Sequence, residues 1–123
     1  MKPTIKIKRV YLEPSKKDEH RILIDRLWPR GITKEAASVD EWIKELAPTP
    51  ALRKWFGHDP ALWKEFQKKY QSELKENPAV EDFVETHKKH RLLTLLYAAK
   101  DEEHTHALVL QHFLEERFRR KSE

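Results

Sequence analysis

Apolar and basic residues alternate in "TIKIKRVYL", residues 4–12, and this pattern predicts a strand with one solvent-facing side near the edge of a sheet. Two further runs, "RILIDRLW" at 21–28 and "RLLTLLYAA" at 91–99, are rich in apolar residues and typical of buried strands. The segment "VDEWIKELAP" at 39–48 is ambiguous, because its apolar positions fit both helical spacing and strand alternation.

Helix signals separate these runs. Thr33 is the expected N-cap of a short helix, and the pairs Asp59–Pro60 and Asn77–Pro78 each combine a capping side chain with proline at the first helical position. Asp101 is the expected N-cap of a last helix. The apolar stripes predicted to face the core are Trp63, Phe66, Tyr70 and Leu74, then Val80, Phe83, Val84 and His87, and finally Ala107, Leu110, Leu114 and Phe118.

Strands that alternate with helices indicate an α/β fold. We expect a single small domain, residues 1–123, with a largely parallel β-sheet of about four strands flanked by helices. The two buried runs should be parallel neighbours, joined through the helical segment between them. The polar stretch "LEPSKKDEH" has room for little more than one helical turn.

Composition narrows the class of protein. A chain of 123 residues suits one domain, and the absence of cysteine excludes disulfides, thiolate nucleophiles and cysteine metal ligands. No apolar run approaches the roughly 20 residues of a membrane span, and the N-terminus lacks a signal-peptide core, so a cytoplasmic location is expected. The net charge is only +4 and both signs are interspersed, apart from a short basic C-terminal tail from about residue 117.

Three strings resemble a known family in the same order along the chain. They are "ILIDRLWPRGITKE" at 22–35, "EWIKELAPTPALRKWFGHDP" at 41–60 and "TLLYAAKDEEHTHALVL" at 94–110. Together they resemble the YeaO-like proteins, small bacterial proteins that form a domain-of-unknown-function family, and the resemblance runs from about Ile5 to about Leu114. It implies no established activity, but it favours a strand for "EWIKELA".

The resemblance also bears on thiol chemistry. A branch of the wider family has a strand ending in Asp-x-Arg and a late strand followed by a cysteine–histidine–arginine motif. This chain has "DRLWPR" and "KDEEHTH" at the two places, so it lacks the cysteine, and chemistry that depends on this thiol is not expected.

Ligands of parallel α/β sheets bind beyond the carboxyl ends of the strands, where this chain concentrates charge. There we expect Asp25 and His58 to act as acid, base or orienting groups. Candidate ligand-binding residues are Arg26, Trp28, Arg30, Tyr97 and Lys100, with the basic groups for an anion and the aromatic groups for stacking or as a pocket wall.

Strand alternation places Asp25 on the same side as Leu23 and Leu27, so its carboxylate should be shielded. A shielded carboxylate needs donors, and we expect one of Arg26, Arg30 or Lys100 within hydrogen-bonding reach. The alternative to a functional site is a structural ion pair that fastens the loop to the sheet.

Other chemistry is less well supported by the sequence. Asp101, His104 and His106 are candidate metal ligands, but their spacing is incomplete and no metal site is favoured. With only Gly31 and Gly57 the chain has no glycine-rich phosphate loop, and the sequence identifies no cofactor.

The sequence therefore favours a small enzyme or ligand-binding domain for an anionic, phosphate- or nucleotide-like molecule. Two alternatives stay open. One is a nucleic-acid-binding regulator that uses the basic tail together with Lys16, Lys17, Lys68 and Lys69; the other is a protein-interaction module without a pocket. No membrane partner is expected, and the sequence does not define an oligomeric state.

Overall fold

The structure is a computed structural model that describes residues 2–122; Met1 and Glu123, the ends of the predicted domain, lie outside the described residues. The described residues form one parallel sheet of four strands: β1 (Thr4–Arg9), β2 (His20–Leu23), β3 (Glu41–Trp42) and β4 (Leu92–Tyr97). The strand order is β1-β4-β2-β3. Every pairing is parallel, so the prediction of an α/β domain in which β2 and β4 are parallel neighbours is confirmed.

Five α-helices connect and cover these strands within residues 2–122. They are α1 (Lys34–Ala37), α2 (Pro50–Phe56), α3 (Trp63–Glu76), α4 (Pro78–His87) and α5 (His106–Ser122). Single 3-10 turns lie at Lys16–Asp18, Lys44–Leu46 and Pro60–Leu62. No helix among the described residues is long and apolar enough to cross a membrane.

Side-chain caps set most of the helix starts, as the sequence predicts. Thr33 accepts from the Ala36 amide at the start of α1, and Asn77 accepts from the Ala79 amide at the start of α4. Asp59 caps the turn that leads into α3. The prediction missed α2, although Thr49 and Pro50 begin it with the same combination of cap and proline.

Two predicted boundaries were wrong. The run at 21–28 leaves the sheet after Leu23, because the Asp25 carbonyl accepts from the Trp42 indole N–H at 2.7 Å and the segment turns away. Leu27 is consequently 65% exposed and does not share a buried side with Leu23. The last helix begins at His106 and not near Asp101, which instead caps an isolated turn through the amides of Glu103 and His104.

The ambiguous segment at 39–48 is part strand and part helix. Glu41 and Trp42 pair with Ile22 and Leu23 of β2, and a 3-10 turn follows at Lys44–Leu46. The strand that the family resemblance favours is therefore present, but it is only two residues long.

Most of the core lies on one face of the sheet. There Ile22, Ile24, Leu93 and Leu95 pack against the buried stripes of α3, α4 and α5. The stripes match the predicted ones, except that Trp63 is only partly buried at the margin of the core. On the other face Val10, Leu23, Ala37 and Leu96 form a smaller cluster.

A buried ion-pair network joins the first turn to the centre of the sheet. Asp18 is 2% exposed and accepts hydrogen bonds from Lys8 at 2.9 Å, from the Ser15 amide at 3.0 Å and from the guanidinium of Arg21. Arg21, 4% exposed, also donates to the carbonyls of Ala37 and Ser38 at the end of α1. Three donors thus satisfy a carboxylate that burial alone would penalise.

We expect Asp18→Asn to lower the free energy of unfolding by about 3–5 kcal/mol at neutral pH, because it leaves the buried guanidinium of Arg21 without its countercharge. Burial raises the pKa of Asp18, but the hydrogen bonds from Lys8, Ser15 and Arg21 outweigh it and hold the pKa below the ordinary 3.8. The stabilisation is therefore present above pH 3.8 and is lost as the pH falls below it.

Urea denaturation of the wild-type protein and the Asp18→Asn variant, at pH 7 and at a series of lower pH values, measures the free energy of unfolding. The difference in free energy between the two proteins should shrink in acid. Asp82→Asn, at an exposed position, is the matched control and should change stability little. An equal decrease in the free energy of unfolding for Asp18→Asn and Asp82→Asn at pH 7 would contradict the role given to Asp18.

Candidate functional site

A cleft opens at the carboxyl ends of β2 and β4. It has two adjoining lobes, with volumes of about 330 Å³ and about 490 Å³. Both lobes are lined by Pro48, Arg53, His58, Ala99 and His106, and we call this region the strand-end cleft. Its position follows from topology, because the chain leaves the core at these strand ends and the backbone turns open a crevice.

Asp25 and His106 form the half-buried polar floor of the larger lobe. Asp25 Oδ2 accepts from the Ala98 amide at 3.0 Å, which ties the segment after β2 to the segment after β4. His106 Nε2 lies 3.0 Å from the carbonyl oxygen of Ile24, so this nitrogen carries the proton and donates. It lies 3.4 Å from Asp25 Oδ1, which is buried and has no hydrogen-bond partner within residues 2–122.

The low exposure of this pair shifts both groups toward their neutral forms. Burial raises the pKa of Asp25 above 3.8, although His106, the Ala98 amide and nearby Arg53 lower it. Burial also lowers the pKa of His106 below 6.5, although the Asp25 carboxyl group raises it. An acid and a base with opposed shifts in a cleft are typical of a functional site, though structural networks produce the same effect.

Three cations line the larger lobe, and a fourth, Lys54, lines only the smaller one. The structure uses the three of the larger lobe differently. Arg26 donates to the carbonyls of Ala47 and Pro48 at 3.0 and 3.2 Å, so its guanidinium is engaged in holding the cleft wall. Within the described part of the chain, Arg53 and Lys100 make no side-chain hydrogen bond or ion pair. These two charges are available to a ligand.

The turn after α2 positions His58. Gly57 ends α2 with φ +53° and His58 follows with φ +57°, a left-handed conformation that is uncommon for a residue with a Cβ. The ring lies 6.2 Å from that of Phe56, centroid to centroid, at the wall shared by the two lobes. A non-glycine residue in this conformation is an observation that itself suggests a functional role for the position.

The structure brings only part of the predicted set together. Asp25, Arg26, His58 and Lys100 line the strand-end cleft, whereas Trp28, Arg30 and Tyr97 are not among its lining residues. Trp28 packs edge-on against Trp42, Tyr97 is buried in the core, and the carbonyl of exposed Arg30 accepts from the Tyr11 hydroxyl.

The expectation that an arginine or lysine hydrogen-bonds Asp25 was wrong. The Ala98 amide donates to Oδ2, and the titratable side chain beside Oδ1 is His106, at 3.4 Å. Within the described residues no arginine or lysine side chain hydrogen-bonds this carboxylate. Sequence reasoning also missed Arg53, which lies inside the string "EWIKELAPTPALRKWFGHDP". The combination of Thr49 and Pro50 is the signal that could have identified α2, the helix that carries Arg53.

The predicted metal ligands lie close to one another but do not converge. His104 Nδ1 contacts Asp101 Oδ2 at 2.7 Å, whereas His106 is engaged with Ile24. Within residues 2–122 the three do not form a group of donors close enough to share an ion.

We expect the Asp25 carboxyl group to titrate above pH 3.8, and His106→Gln to raise its pKa further by removing a positive charge. Because the folded protein holds this proton more tightly than the unfolded chain, the stability that the group contributes is largest below pH 3.8 and declines as the pH rises through the folded pKa. Carbon-detected NMR of the side-chain carboxyl measures both pKa values. His104→Gln is the control and should leave the titration of Asp25 unchanged. A pKa of Asp25 at or below 3.8 in the wild-type protein would contradict the prediction.

Comparison with known proteins gives the family. A family model described as the inactive DUF488-N3 subclade matches residues 4–123. The chain is 42% identical over 110 residues to the uncharacterized protein YeaO of Escherichia coli, a match covering 89% of this chain and 96% of that protein. It is 34% identical over 110 residues to the uncharacterized protein Rv3073c of Mycobacterium tuberculosis, covering 89% and 92% of the two chains. No solved structure shows a significant match. The chain therefore belongs to the YeaO-like proteins of the inactive DUF488-N3 subclade.

Proposed function

We propose that the strand-end cleft binds a small anionic molecule of the phosphate or nucleotide class. The observation that carries the proposal is the pair of cations Arg53 and Lys100, which line the larger lobe and make no side-chain hydrogen bond or ion pair among residues 2–122. A guanidinium binds phosphate or carboxylate oxygens through two parallel hydrogen bonds, and an ammonium adds charge.

The shape of the cleft supports a ligand larger than a single phosphate. The smaller lobe combines apolar groups, among them Pro50, Phe56 and Phe66, with Arg53 and Lys54. The larger lobe combines Arg53 and Lys100 with the carboxyl groups of Asp25 and Asp101. Volumes of about 330 and 490 Å³ lie within the range of small-molecule sites. A ligand with an anionic group beside Arg53 and a flat or apolar group in the smaller lobe would contact both lobes of the cleft.

The family supports binding without turnover. The matching subclade is described as inactive, and this chain has no cysteine. In this proposal Asp25 and His58 orient the ligand or hold a proton at its edge, and they do not transform it. Incubation with adenosine monophosphate should then release no phosphate, whereas release that is lost in Asp25→Asn would favour the enzyme alternative.

The nucleic-acid alternative has less support. Arg117 pairs with Glu81 at 2.8 Å, Arg120 with Glu116 at 3.3 Å, and Lys121 with Glu85 at 3.5 Å, so much of the basic tail is neutralised by neighbouring helix residues. DNA binding that falls steeply with salt would nevertheless favour a regulator, because each neutralised phosphate contributes to the salt slope.

We expect adenosine monophosphate to raise the melting temperature of the protein in a concentration-dependent way, with inorganic phosphate giving a smaller effect. Arg53→Met should weaken binding by about 10- to 100-fold, the loss expected for a charge-assisted hydrogen bond. Calorimetric titration measures the affinities.

Arg30→Met is the matched control, because it removes the same charge from an exposed position outside the cleft lining. It should leave the affinity within a factor of about two, since a distant exposed charge is screened. No stabilisation by either compound at millimolar concentration, or equal weakening in the two variants, would contradict the proposal.

A further inference from the structure

Three metal-ligating side chains meet at the amino ends of β2 and β3, on the side of the sheet opposite the strand-end cleft. His20 begins β2, Glu41 begins β3 and His87 ends α4, and we call these residues the amino-edge cluster. Both His20 Nε2 and His87 Nε2 lie 2.6 Å from Glu41 Oε1. One donor atom from each residue lies within 4.8 Å of the others.

Backbone contacts fix the orientation of His87. Its Nδ1 lies 2.8 Å from the carbonyl oxygen of Phe83, which only accepts, so this nitrogen carries the proton. The ring also stacks on that of Phe83 with centroids 4.1 Å apart. In the neutral imidazole, Nε2 therefore points its lone pair at a carboxylate oxygen, and such a contact is attractive only if a proton or a metal cation lies between the two atoms.

We propose that His20, Glu41 and His87 bind a divalent transition-metal ion, and we take Zn²⁺ as its representative. Two imidazole nitrogens and one carboxylate oxygen form a ligand set that suits zinc. The hydrogen bond from Nδ1 of His87 to a backbone carbonyl is the usual outer-shell support of a ligating histidine.

The two nitrogen–oxygen contacts at Glu41 suit this ion after a small expansion. Zinc–ligand distances near 2.0–2.1 Å place two ligand atoms of a tetrahedral site about 3.3 Å apart. The two contacts of 2.6 Å would therefore lengthen by less than about 1 Å, which rotation of the partly exposed Glu41 side chain can supply.

Exposure indicates an open coordination position. The side chain of His87 is 6% exposed, that of His20 is 22% exposed and that of Glu41 is 38% exposed, so the cluster is anchored in the protein and faces solvent on one side. With three protein ligands, a water molecule completes the tetrahedron. The ion would also cross-link the two-residue strand β3 to β2 and to the end of α4.

Calorimetric titration of chelator-treated protein with Zn²⁺ at pH 7 tests the proposal. We expect one ion per chain and a melting temperature that rises with Zn²⁺ concentration. His20→Gln and Glu41→Gln, at partly exposed positions where the fold should persist, are each expected to weaken binding at least about 100-fold, beyond the range of outer-shell changes. The melting temperature without metal shows that each variant is folded.

His112→Gln is the matched control, since it removes an exposed histidine outside the cluster and should leave the affinity unchanged. Histidine ring NMR adds a direct readout, because Zn²⁺ should shift the signals of His20 and His87 and not those of His112. Absence of stoichiometric binding, or equal affinity in the Glu41→Gln and His112→Gln variants, would overturn the proposal and leave a protonated imidazole as the positive charge beside Glu41.

Discussion

The pairing of Asp18 with Arg21 constrains nearly every other part of the structure. Arg21 lies in β2, between β4 and β3, and its guanidinium joins the first turn to the carbonyls at the end of α1. Its backbone amide donates to Asp40, which directly precedes β3. The pair therefore anchors the start of β2 to the first turn and to the end of α1. The amino-edge cluster contains His20 of β2, and the strand-end cleft contains Asp25, which follows β2. Both sites therefore depend on the position of this strand.

Local signals in the sequence were sufficient for most of the fold. Capping pairs such as Asn77–Pro78 act through hydrogen bonds within a few residues, so their position can be read directly. The end of β2 could not be read in this way. It depends on the Trp42 indole taking the Asp25 carbonyl, a contact across 17 residues that periodicity does not encode.

The same physical limit explains which site residues were found. The rule that ligands bind at the carboxyl ends of parallel strands correctly selected Asp25, His58 and Lys100 as residues of one cleft. It could not select Arg53, because the helix that carries it was not recognised. Nor could it find the amino-edge cluster, where His20, Glu41 and His87 are separated along the chain by 21 and 46 residues.

The position of β1 at one edge of the sheet has a consequence for self-association. An open edge strand is a template on which another chain can add a strand, and proteins prevent this with charged residues, lysine above all. β1 carries exposed Lys6, whereas the Lys8 ammonium is paired with Asp18, and the Gln111 amide of α5 donates to the Ile5 carbonyl at 2.8 Å. Pairing a second copy with this edge would place the Lys6 charge beside the added strand and would have to displace the glutamine. Lys6 and Gln111 thus disfavour edge-to-edge association of the folded protein.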